Sequence, residues 1–132
     1  MYRITYEDGK PEIERRTTIG FYWMSEVFDA AKEWLNEKLE EGEDDYAECA
    51  DNIKKLQDFD IESGMRTPGG ETKIDLIKEV CEYLNEYEGQ GVKEERKSVH
   101  EKTAEWLFQQ FDIYDYEIDD FVDSLDNEEE YW

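Results

Sequence analysis

Basic residues are scarce in this sequence. Its 132 residues include 15 Lys and Arg against 38 Asp and Glu, which gives a formal net charge of −23 at pH 7. Proteins that bind DNA or RNA neutralise phosphates with Lys and Arg, so we expect no direct binding of nucleic acid. Anionic lipid headgroups are repelled for the same reason.

Histidine and cysteine are also few, with one His and two Cys in the chain. A structural zinc site needs about four ligands, mostly Cys and His, so we expect no metal ion. Cys49 and Cys81 stand at apolar positions of helix-like segments, which favours reduced core thiols, although the sequence leaves a disulfide open. His100 is the second residue of a predicted helix, where we expect a solvent-facing or capping role.

Long apolar runs are absent. No segment approaches the roughly 18 apolar residues of a membrane span, and the N-terminal residues Met1–Tyr6 lack the apolar region of a secretory signal. We therefore expect a soluble cytoplasmic protein that does not contact membranes.

Aromatic residues, by contrast, are plentiful, at 14% of the chain. High charge with an apolar content of only 38% is otherwise typical of disorder. Each buried ring removes about 150–250 Å² from water, so a small aromatic core can hold a self-repelling chain together. The length fits one domain, and we expect its stability to rise with salt because screening weakens the repulsion.

The periodicity of apolar residues predicts an α+β fold in which helices dominate. Alternating apolar and polar residues over residues 1–20, with a turn at Asp8-Gly9, predict a β-hairpin. Over residues 21–126 the spacing changes to three and four, which predicts about five helices. Gly42 is placed to end the first helix, Ser98–Glu101 matches a capping box that would begin the fourth, and residues 127–132 would form a frayed tail. The predicted apolar stripes are Met24, Phe28, Ala31, Leu35 and Leu39; Tyr46, Cys49, Ile53 and Leu56; Ile74, Ile77, Cys81, Leu84 and Tyr87; Val99, Thr103, Trp106, Leu107 and Phe111; and Ile118, Phe121, Val122 and Leu125.

Acidic residues are arranged in rows one helical turn apart. Like charges at i, i+4 destabilise a helix by roughly 0.2–0.5 kcal/mol per pair, so such rows oppose folding. Carboxylates at that spacing lie about 5–6 Å apart, near the spacing of successive phosphates on a nucleic-acid strand. The rows, in chain order, are Asp29, Glu33, Glu37 and Glu41; Asp44, Glu48 and Asp51; Asp75, Glu79, Glu82 and Glu86; and Asp115, Asp119 and Asp123. We predict a partner-binding surface made of Asp29, Glu33, Glu37, Glu41, Asp115, Asp119, Asp120 and Asp123.

The sequence contains no convincing catalytic or calcium-binding motif. The segment Asp115–Asp126 has acids at positions 1, 3, 5 and 12 of a calcium loop, but Asp120 replaces the glycine required at position 6. The same residues form a good amphipathic helix. Carboxylate pairs occur by chance among 38 acids, so they do not indicate acid–base catalysis. We predict no enzymatic activity, no catalytic residues and no cofactor.

In size, charge and carboxylate layout, the chain resembles the phage- and plasmid-encoded DNA-mimic inhibitors. These include anti-restriction and anti-CRISPR proteins and the acidic inhibitors of DNA-repair enzymes. The resemblance covers most of the chain and involves no shared motif. It implies a stoichiometric inhibitor without cofactor, whose partner is a basic nucleic-acid-binding protein or ribonucleoprotein, acting in the host cytoplasm if the gene is phage-borne.

Two other functions use the same electrostatics. One is an antitoxin or immunity protein that blocks a basic toxin nuclease, and the other is an acidic chaperone for a basic protein. The sequence does not separate these from an inhibitor, whereas a neighbouring toxin gene or a host defence gene would.

Overall fold

A β-hairpin followed by helices makes up the computed structural model, which describes residues 3–14, 21–42, 44–86, 92–113 and 118–128. These ranges hold one two-stranded antiparallel sheet, six α-helices and a 3₁₀ turn at Ile61–Ser63. The elements are β1 (Arg3–Glu7), β2 (Lys10–Glu14), α1 (Phe21–Glu41), α2 (Asp44–Glu48), α3 (Ala50–Gln57), α4 (Lys73–Glu86), α5 (Val92–Gln110) and α6 (Ile118–Glu128). The prediction of an α+β, helix-dominant fold is confirmed.

The hairpin turns at the predicted dipeptide. Asp8 and Gly9 both have positive φ, 52° and 80°, as a type I′ turn requires. The register pairs Ile4 with Ile13, and Ile13 is fully buried, where the hairpin packs on α1 and α4. The predicted alternation continued to Ile19, which lies outside the described residues.

Helix α1 ends where its glycine predicts. Gly42 has a φ of 75°, and its N–H donates to the carbonyl of Leu39 at 3.1 Å. A left-handed residue just after the last turn is the usual helix stop, and glycine adopts it without a Cβ penalty.

The predicted second helix is divided at Cys49 into α2 and α3. The apolar spacing still holds across the break, since Tyr46, Cys49, Ile53 and Leu56 are all buried. Cys49 and Cys81 are both buried free thiols, as expected.

Helix α5 corrects two predictions. It begins at Val92, so Ser98–Glu101 lies inside the helix and forms no capping box. The added residues are mainly Lys, Glu and Arg, which favour helix without an apolar stripe. The surface role expected for His100 is also wrong, because that side chain is only 1% exposed. Its Nε2 lies 4.0 Å from Oε2 of Glu26 on α1.

Helix α5 is the centre of the fold, packing against α1, α4 and α6. Phe28 of α1 contacts Trp106 of α5 and Phe59 at centroid distances of 6.4 and 6.5 Å, both edge to face. Phe59 also packs edge to face on Phe111 at 5.2 Å. This aromatic cluster holds α1 against α5, and it therefore determines how the outer face of α1 is presented.

A half-buried carboxylate, that of Glu71, ties the loop before α4 to α5. Glu71 Oε2 accepts hydrogen bonds from Trp106 Nε1 at 2.7 Å and from Gln110 Nε2 at 2.8 Å. Thr67 Oγ1 donates to Gln110 Oε1 at 2.6 Å. Glu71 thus satisfies an indole that is only 2% exposed.

We expect Glu71→Ala to lower the free energy of unfolding by about 2 kcal/mol, because a buried donor that loses its acceptor costs about 1–3 kcal/mol. Urea denaturation measures this loss without adding salt. The matched control is Glu48→Ala, which removes the same charge from an exposed position and should change stability by less than about 0.5 kcal/mol. Equal losses in both variants would contradict the proposed role of Glu71.

Candidate partner-binding surface

The acidic row of α1 is exposed along its whole length, at Asp29, Glu33, Glu37 and Glu41. Its apolar stripe is buried on the opposite face, which forces the carboxylates outward. Glu41 lies 3.9 Å from Lys38 Nζ. Glu33 and Glu37 have no hydrogen-bond or ion-pair partner within the part of the chain that the structure describes. Two central carboxylates of the row are therefore available to a partner.

The last row is displayed by α6. Phe121, Val122 and Leu125 are buried and anchor the helix, which leaves Asp119, Asp120 and Asp123 exposed, as predicted. Lys97 Nζ lies 3.6 Å from Asp123 Oδ1. The row's first member, Asp115, lies outside the described residues.

The structure brings the α1 row beside α6. Between the two helices runs a groove of about 140 Å³, here called the α1–α6 groove. Trp34 and Phe121 contact each other there, with ring centroids 5.6 Å apart. Residues Ala30, Glu33, Trp34 and Glu37 line it from α1, and Phe121, Ser124 and Leu125 line it from α6. Two elements far apart in sequence thus form one concave surface with acids on it.

Two acids of α5, Glu101 and Glu105, extend the α6 row, although neither was predicted as a site residue. Burial raises the pKa of Glu101, and the carboxylates of Glu105, Asp119 and Asp123 raise it further. These four residues form a second acidic surface, the α5–α6 ridge. The i, i+4 spacing of Glu101 and Glu105 could have revealed it, but Glu101 had been assigned to a capping box.

The predicted row on α4 is partly structural. Asp75 Oδ2 accepts from the backbone N–H of Thr72 at 2.8 Å and from its hydroxyl at 3.2 Å, which caps α4. Burial raises the pKa of Glu79, while Lys102 lowers it. Lys102 Nζ also lies 5.7 Å from the ring centroid of Tyr83. The carboxylates of this row therefore make more contacts within the protein than those of the α1 row do.

The raised pKa values of Glu79 and Glu101 determine the direction in which these two groups change stability with pH. The folded state holds these protons more tightly than the unfolded state, so both groups favour folding at low pH. That contribution is lost as pH rises through the folded pKa. An approaching cation favours the charged carboxylate, so a cationic partner on the α5–α6 ridge would displace protons.

A larger cleft of about 470 Å³ lies between the hairpin, α1, the 3₁₀ turn and α4. It contains Lys10, Lys32 and Lys73 together with four acids. Lys32 Nζ donates to the carbonyl of Phe59 at 2.7 Å. Burial lowers the pKa of Lys73, and Lys10 lowers it further. Asp29 of the α1 row also lines this cleft, but the three lysines give the cleft charges of both signs, unlike the rest of the row.

Across the described ranges, no three or more His, Cys, Asp or Glu side chains are grouped to hold a metal ion, and no helix is long and apolar enough to cross a membrane. The calcium-loop hypothesis is contradicted from Ile118 onward, because those residues are helical. Its first three residues fall outside the described chain.

Comparison of the chain with protein-family models, curated proteins and solved structures found no match. The function is therefore inferred from the charge and the geometry of the acidic surface.

Proposed function

We propose that this protein is a stoichiometric inhibitor of a nucleic-acid-binding enzyme, and that it presents helix-borne carboxylates in place of phosphates. The observation that carries the proposal is the exposed α1 row, with Glu33 and Glu37 lacking an ion-pair partner among the described residues. Like charges one turn apart oppose helix formation, and nothing described within the fold offsets this at these two residues. A partner's Lys and Arg would offset it.

The layout of the acids supports mimicry of a nucleic-acid strand. Carboxylates one turn apart lie about 5–6 Å from each other, and Asp119, Asp120 and Asp123 extend the negative surface onto α6. A groove that binds phosphates with Lys and Arg is complementary to this pattern. The partner class is therefore a CRISPR effector, a restriction enzyme, or another defence or repair nuclease, met in the cytoplasm.

The nucleophile candidates of the described chain support a non-enzymatic function. Burial raises the pKa of the Cys81 thiol, and Glu82 raises it further, so the reactive thiolate is disfavoured. Cys49 is buried, and His100 is enclosed next to Glu26. The acidic surface, which suits binding to a protein, is therefore the feature on which we base the function.

The test is capture of a partner from host lysate by the immobilised protein at low and at high salt. We expect a basic nucleic-acid-binding protein to bind at low salt and to be lost near 1 M salt, where the Debye length is only about 3 Å. Added substrate DNA or RNA should compete, and the protein alone should not shift either one in a gel.

An affinity that does not change between low and high salt would contradict the proposal and indicate an apolar interface. Identification of the captured protein also separates the related functions. A toxin nuclease would make the chain an antitoxin or immunity protein, and a histone-like or translation-factor protein would make it a chaperone.

A further inference from the structure

We propose that the α1–α6 groove is a seat for one arginine side chain of the basic partner. The inference rests on the proposed function and names the point on the acidic surface where the partner is anchored.

The size and lining of the groove fit one amphipathic side chain. Its volume is about 140 Å³, whereas sites for drug-sized ligands measure about 300–1,000 Å³. Half-buried Trp34 supplies apolar surface above the buried Phe121 and Leu125, and the exposed carboxylates of Glu33 and Glu37 stand beside it. Arginine and lysine bury an apolar stem while the charged head stays in water, which matches this combination.

Trp34 already holds a cation, and this observation is independent of the acids. Lys38 Nζ lies 4.7 Å from the centroid of the indole ring, within the roughly 6 Å range of cation–π attraction. The ring is thus placed where a positive charge can approach it. The same side chain lines the groove, so a partner's cation would meet an aromatic surface and two carboxylates, and it would displace the Lys38 ammonium from the ring.

Arginine fits this seat better than lysine does. Its planar guanidinium stacks on aromatic rings and donates to carboxylates in a fixed fork, whereas the lysine ammonium is a compact and strongly hydrated charge. Arginine is also enriched among the residues that dominate binding when they fill a well-packed pocket. Carboxylates spread over an open helix face would attract cations without selecting one position. The groove would therefore fix where the partner sits along the acidic surface.

The experiment is an NMR titration of the ¹⁵N-labelled full chain with Nα-acetyl-arginine amide. We expect saturable shifts of the Trp34 indole N–H, assigned with Trp34→Phe, and of the Ser124 amide. The neutral isostere Nα-acetyl-citrulline amide should leave both signals in place. Glu33→Gln with Glu37→Gln should weaken arginine binding roughly fivefold. The charge-matched control, Glu48→Gln with Asp51→Asn, should change it less than about twofold.

Filling the groove tests its shape without changing its charge. Ala30→Leu adds bulk at the groove with a residue that favours helix, and it should abolish the Trp34 shift and weaken partner capture. Thermal unfolding checks the fold of this variant, and Ser124→Leu offers the same test from α6 if Ala30→Leu unfolds. Arginine shifts spread evenly over all acidic helices, or full binding by a folded groove-filled variant, would overturn the proposal.

These failures differ from failure of the proposed function. If groove filling changes nothing but neutralising the α1 row still weakens partner capture, carboxylate mimicry stands and the arginine seat is wrong. If neutralising both acidic rows changes nothing, mimicry itself is wrong.

Discussion

Neutralising the α1 row with Glu33→Gln, Glu37→Gln and Glu41→Gln should weaken partner binding about tenfold and leave the fold as stable as the wild type, or more stable. The row has three i, i+4 contacts between like charges, each worth roughly 0.2–0.5 kcal/mol, and the substitutions remove all of them. Loss of the exposed contact between Glu41 and Lys38 offsets only part of this gain. Binding should fall because each exposed ion pair with a partner contributes about 0.2–1 kcal/mol.

Competition with the partner's nucleic-acid substrate measures binding of this variant, and urea denaturation measures its stability. The matched control neutralises three exposed acids elsewhere, with Asp44→Asn, Glu48→Gln and Asp51→Asn. It changes the net charge by the same amount, so an equal loss of binding would show that the α1 row has no special part in binding.

The α6 row has a separate test in Asp119→Asn, Asp120→Asn and Asp123→Asn. A variant that competes as well as the wild type would confine the binding surface to the helices that precede it. Binding that survives neutralisation of both rows would refute mimicry.

Removing every residue after Asp112 should unfold the protein. This truncation deletes Ile113, Phe121, Val122 and Leu125, all buried. Truncating one large core side chain typically costs about 2–5 kcal/mol. Losing four of them therefore costs as much free energy as the usual total stability of about 5–15 kcal/mol. Phe121 also contacts Phe108 of α5, with ring centroids 6.0 Å apart, so the truncation exposes α5 as well.

The matched control deletes only residues 127–132 and should change the free energy of unfolding by less than about 1 kcal/mol, since Leu125 is the last buried residue described on α6. Circular dichroism with urea denaturation distinguishes the two truncations. A cooperative unfolding transition of residues 1–112 with native-like helix content would contradict the role assigned to α6.

Local features of the fold were readable from the sequence because the chemistry behind them is local. Asp8-Gly9 tolerates the positive φ of a tight hairpin turn, and Gly42 does the same at the end of α1. The spacing of apolar residues identified the buried face of each helix, including Phe121 and Leu125 on α6. It also indicated which acids face outward, since the opposite side of an amphipathic helix is solvated.

Only the tertiary structure decided which helix meets which. The burial of His100 depends on α1 packing over α5, and the α1–α6 groove depends on Trp34 meeting a ring 87 positions later in the chain, Phe121. The closeness of Glu101 to Asp119 likewise comes from the contact of α5 with α6. The periodicity of apolar residues predicts which face of a helix is buried, but it does not predict which element packs against that face. The sequence by itself therefore determined an acidic, helix-dominant fold with outward carboxylate rows, and long-range packing determined where those rows meet an aromatic groove.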